Sequence, residues 1–125
     1  MNWPASVTKF CNAIKIAEGS NPDWNNPGDL TGADKGNFQV WGTANSEGVW
    51  KFVYAADGWN ALCIKVNRIL MGHSLVYPLV MTISELGMKY SGKDPNWAKN
   101  VAAELGVPET MTIGEWVEAN PLGDA

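Results

Sequence analysis

The chain has 125 residues, the size of one domain, and at 46% hydrophobic it can bury a core and is too apolar to be disordered. Its net charge is −4 at pH 7 and it has no run of Lys or Arg, so it lacks the basic patch of a duplex-DNA binder. No apolar run approaches a membrane span, and no basic-then-apolar opening marks a signal peptide, so neither membrane insertion nor nucleic acid is expected.

In chain order, residues 4–18 read as a helix. Val7, Phe10, Cys11, Ile14 and Ala17 recur at three- and four-residue steps and form one apolar stripe. Pro4 suits the first turn and Gly19 the stop. Residues 20–28 hold Asn-Pro, Asn-Asn and Pro-Gly, which are turn residues. They form either a plain surface turn or a rigid loop that holds a ligand. Residues 30–31, 38–42 and 49–54 then read as three short strands separated by Gly-containing turns, with Phe38, Val40, Trp50, Phe52 and Tyr54 in alternation.

A second helix is expected over residues 57–71, capped by Asp57, with Leu62, Cys63, Val66, Ile69 and Leu70 as its apolar stripe. Residues 74–81 contain Pro78 and suggest a short irregular helix. Thr82 with Glu85, and Thr112 with Glu115, are capping-box patterns that open helices over 82–90 and 112–117. Between them Asp94–Pro95 starts a helix with Trp97, Val101, Ala102 and Leu105 turned inward, closed by Gly106. Residues 120–125 are a tail. No repeat and no linker are evident, so residues 1–125 are expected to form one domain. Cys11 and Cys63 fall on apolar helix faces and are expected as two buried free thiols. A Cys pair without His spacing is not a metal site. The single His73, at a helix end, is expected to have no chemical role.

Glu18 breaks a local rule. A carboxylate in the last turn of a helix sits at the negative end of the dipole. Its neighbours Ile14, Ile16 and Ala17 are apolar, and Trp24 follows shortly. Both effects raise a carboxyl pKa towards that of a general acid. The plain alternative is a solvated carboxylate at a frayed helix end.

The stretch Glu18, Gly19, then Asn25, Asn26, Pro27, Gly28 and Asp29 resembles the lysozyme-like superfamily, specifically small bacterial and phage muramidases and lytic transglycosylases. Residues 36–40 (GNFQV), 56–62 (ADGWNAL), Tyr90 and 94–107 (DPNWAKNVAAELGV) resemble that family's later segments. The resemblance implies an α+β, mainly helical fold: a lysozyme-like helical body with a small three-stranded antiparallel sheet flanking a cleft. It implies cleavage of the β-1,4 bond between N-acetylmuramic acid and N-acetylglucosamine in peptidoglycan, with Glu18 as general acid. Trp24, Asn25, Asn26, Asp29, Tyr54 and Tyr90 are the candidate glycan-binding residues. A glycosidase usually adds a second carboxylate, for which Asp29, Asp34 and Glu47 are the candidates. Lytic transglycosylases work with one Glu, and the sequence leaves hydrolysis and transglycosylation open. The expected partner is peptidoglycan or a chitooligosaccharide, met by a monomer at the bacterial cell wall, with no cofactor and no metal. Seven Trp in a chain of this length suit a carbohydrate cleft, though most are expected in the core. The acidic charge gives no electrostatic steering towards an anionic wall. Two alternatives therefore stand: a non-catalytic carbohydrate-binding or phage structural protein on the same fold, and a small helical interaction module.

Overall fold

A computed structural model describes residues 2–19, 25–28, 30, 42–44, 50–52 and 54–123. Among them are five helices: α1 (Ala5–Glu18), α2 (Ala55–Leu70), α3 (Ile83–Tyr90), α4 (Pro95–Leu105) and α5 (Ile113–Ala119). Two three-residue strands, β1 (Gly42–Ala44) and β2 (Trp50–Phe52), pair antiparallel with Thr43 opposite Lys51. No described helix is long and apolar enough to cross a membrane.

The helical body follows the stripes. On α1, Val7, Phe10, Cys11 and Ile14 are buried; on α2, so are Leu62, Cys63, Val66, Ile69 and Leu70. α1 packs against α4 and α2, and α4 also packs against α3. Trp97, Val101, Ala102 and Leu105 bury the inner face of α4. Phe10 meets Trp116 of α5 edge-on, with ring centroids 5.1 Å apart. Cys11 and Cys63 are free, buried thiols on facing helices. Burial pushes the Cys11 thiol well up, while the hydrogen bond from Cys11 draws Cys63 down.

The expected three-stranded sheet is not found: the described sheet has two strands. Leu30 is not in a strand because a side chain takes its backbone groups. Asn26 Oδ1 accepts from Leu30 N at 2.9 Å, and Asn26 Nδ2 donates to Leu30 O at 3.0 Å. An amide used in both directions does for Leu30 what a neighbouring strand would have done. Residues 31 and 38–41 lie outside the described residues. Leu30 joins Phe52 and Ala61 in a small second apolar cluster, which seats Leu30 and β2 on α2.

Two helix starts differ from expectation. Pro4 is the N-cap of α1 and not its first residue. α2 begins at Ala55 with Tyr54 as its N-cap and no side-chain cap, so Asp57 lies inside the first turn, where its charge suits the dipole. Residues 74–81 form turns where a short helix was expected. The Ser74 hydroxyl accepts from the amides of Val76 and Tyr77, at 3.3 and 3.0 Å, as a helix cap would, but Pro78 has no N–H to make the first intrahelical bond to Ser74 O.

The chain does contain a repeat. Pro78, Met81, Thr82, Ile83 and Glu85 recur thirty positions on as Pro108, Met111, Thr112, Ile113 and Glu115. The two copies pair about a local two-fold. Thr82 bridges Thr112 antiparallel. Ile83 N donates to Met111 O and Ile113 N to Met81 O, both at 2.9 Å. Ser84 N donates to Glu109 O, and Gly114 N to Leu79 O. Each copy thus supplies carbonyls to the first-turn amides of the other copy's helix, which have no partner within their own helix. Each Thr–Glu capping box satisfies the third amide. The repeat is too short to show as periodicity, and its copies diverge where they meet different surroundings: Leu86 in one is Trp116 in the other.

Candidate functional site

Glu18 is the last residue of α1. Gly19 follows with φ +53°, a left-handed turn that ends the helix by donating to Lys15 O. Because α1 packs on α4, the half-buried Glu18 carboxylate meets Trp97: the indole Nε1–H donates to Glu18 Oε1 at 2.7 Å. That is a short, direct N–H···O hydrogen bond. Trp97 is 2% exposed, so it presents a fixed donor from within the core.

Trp97 stacks on Tyr90, the last residue of α3, with centroids 4.9 Å apart and planes 24° from parallel. The Tyr90 hydroxyl donates to Gly28 O at 2.7 Å. Lys65 Nζ lies 4.3 Å from the Tyr90 ring centroid and 5.6 Å from that of Tyr77. An acid, a fixed indole, a tyrosine and a cation over its ring therefore come together from four helices and loops of the chain.

The 25–28 loop is tied down on three sides. Asn25 has φ +50°, a conformation Asn tolerates better than most residues. Its Nδ2 donates to Phe52 O at 2.9 Å, which fixes the loop to β2. Its carbonyl rests on Gly58 of α2, where any Cβ would come within 1.5 Å of the oxygen. Gly28 is buried, and a Cβ there would meet Leu62 Cδ1 at 2.5 Å. Tyr90 completes the set.

The candidate glycan-binding residues thus have distinct surroundings. Asn26 is 2% exposed and its amide is turned to Leu30, so its side chain shapes the loop. The Asn25 side chain is half-buried and serves the link to β2. Tyr90 joins the loop to the Trp97 stack. Tyr54, at 68% exposure, lies on the surface ahead of α2. Trp24, and the candidate second carboxylates Asp29, Asp34 and Glu47, lie outside the described residues. Sequence reasoning placed Trp97 in the core and gave it no part in the site. Its periodicity marked it as inward, and no local pattern signals that the edge of a core indole reaches a carboxylate 79 positions away. Lys65 likewise carries no sequence mark. Comparison of the chain with protein-family models, with curated proteins and with solved structures finds no match.

Proposed function

We propose that the chain is a peptidoglycan-cleaving glycosidase, a muramidase or lytic transglycosylase, with Glu18 as its general acid. The observation that carries this reading is the Trp97–Glu18 hydrogen bond: a carboxyl group at a helix end meets a buried indole N–H, beside an Asn-Asn-Pro-Gly loop fastened to the same aromatic stack. The resemblance of residues 18–29 to lysozyme-like enzymes points the same way.

In this reading the protonated Glu18 gives its hydrogen to the oxygen that bridges N-acetylmuramic acid and N-acetylglucosamine. The bond from that oxygen to the muramic C1 breaks, and the electron pair leaves with the oxygen. The Glu18 carboxylate then takes a proton from the incoming nucleophile. If that nucleophile is water, a reducing end forms; if it is the sugar's own 6-hydroxyl, an anhydro sugar forms. Trp97 holds the carboxyl in place through both proton transfers.

The test is digestion of purified cell wall, and of a chitooligosaccharide, by the wild type and Glu18→Gln, with reducing ends and anhydro sugars both measured. Loss of the acid is expected to lower turnover by roughly two to four orders of magnitude. Equal product from both proteins rejects Glu18 as the acid. The second reading is a non-catalytic glycan-binding or phage structural protein. It draws on the net charge of −4 and on the use of the Asn25 and Asn26 side chains within the chain itself. Co-sedimentation with wall, without either product, selects it.

A further inference from the structure

We infer that Trp97 and Tyr90 are positioning residues for Glu18, and that they link the seating of the 25–28 loop to the placement of the acid. The inference rests on the reading of Glu18 as a general acid and adds a route by which contact at the loop reaches it.

Four observations build the route. Glu18 ends its helix, and Gly19 turns the chain away directly behind it at φ +53°. A fixed donor meets the acid: Trp97 is buried and its Nε1 is 2.7 Å from Glu18 Oε1. The indole plane is in turn set by Tyr90, stacked on it at 4.9 Å. The Tyr90 ring is aimed by its hydroxyl, which donates to Gly28 O at 2.7 Å. Gly28 can take that place because it has no Cβ to strike Leu62 or the Tyr90 oxygen, 3.0 Å from where a Cβ would stand. The sequence from loop to acid is therefore Gly28 carbonyl, Tyr90 hydroxyl, stacked rings, indole N–H and carboxylate, and every step is a direct contact. A ligand that presses on or settles the loop acts on Tyr90, and a tilt of that ring moves the donor that places the acid. Displacing a catalytic group by about 1 Å costs on the order of a hundredfold in rate.

Tyr90→Phe removes one hydroxyl and leaves the stack, and Trp97→Phe removes the donor and keeps a ring. Turnover of cell wall by each variant and by the double variant tests the link. Each single change is expected to lower kcat by roughly ten- to a hundredfold, up to the cost of a reacting group misplaced by about 1 Å, with KM within about twofold. The double variant is expected to be no slower than Trp97→Phe, because both act on one path. Losses that multiply, or losses confined to KM, overturn the proposal. A second measurement does not need turnover. In protein labelled with 15N at Trp, the Trp97 indole resonance is expected to shift in Glu18→Gln and also in Tyr90→Phe. A resonance unmoved by Tyr90→Phe overturns the link. A wild type without turnover, whose Trp97 resonance still responds to both changes, rejects the acid reading and keeps the link.

Discussion

Thr82 and Thr112 face each other across a single antiparallel bridge, and each opens a helix with the same capping box. Residues 78–85 and 108–115 are thus two copies of one helix start, locked head to head by reciprocal backbone bonds. Loss of one N-cap hydroxyl costs about 1 kcal/mol, so Thr82→Ala and Thr112→Ala are each expected to lower unfolding free energy by about that amount. Because both caps steady the same bridge, the double variant is expected to lose less than the sum. Urea unfolding of the three variants checks this.

The second capping box also sets a pH dependence. Hydrogen bonds from the backbone and then the side chain of Thr112 hold the Glu115 carboxyl below its ordinary value of 4.5. A group depressed in the folded state contributes stability above its unfolded pKa, and that contribution is lost as pH falls through the folded value. The stability gap between wild type and Glu115→Gln is therefore expected to be present at neutral pH and to close as pH drops below 4.5. A gap that persists at acid pH would remove the ionised carboxylate as its cause.

Gly58 and Gly19 separate two reasons for glycine. At Gly58 a Cβ would stand 1.5 Å from the Asn25 carbonyl oxygen, so Gly58→Ala must displace the loop backbone. A loss of about 3 kcal/mol or more is expected, the upper range of overpacking. At Gly19 no described atom lies within 4 Å of where a Cβ would stand, and φ +53° resists a side chain, so Gly19→Ala is expected to cost about 1 kcal/mol. Equal losses at the two positions would mean that the loop does not press on α2.

Asn26 stands in for a strand. Asn26→Ala leaves the buried Leu30 amide and carbonyl without the amide that served both. A loss of about 2 to 4 kcal/mol is expected for two abandoned buried groups. Asn26→Asp, which keeps an acceptor for Leu30 N but cannot donate to Leu30 O when ionised, is expected to recover only part of it. Thermal unfolding of both variants tests the two halves of the clamp.

The sequence by itself determined the helical frame. Apolar stripes at helical spacing, two Thr–Glu caps, Asp94–Pro95 and the stops at Gly19 and Gly106 are local signals, and each of those elements stands within a residue or two of where they place it. Glu18 at a helix end was legible for the same reason. What depended on which groups meet in the folded chain was not. Leu30 has the neighbours of a strand residue, yet an Asn four positions back claimed its hydrogen bonds. The paired Thr82 and Thr112 units lie thirty positions apart, and only their meeting gives the repeat a purpose. The contact between Trp97 and Glu18 was likewise decided by tertiary packing: periodicity can turn an indole inward, but only the crossing of α1 and α4 chooses which atom its N–H meets.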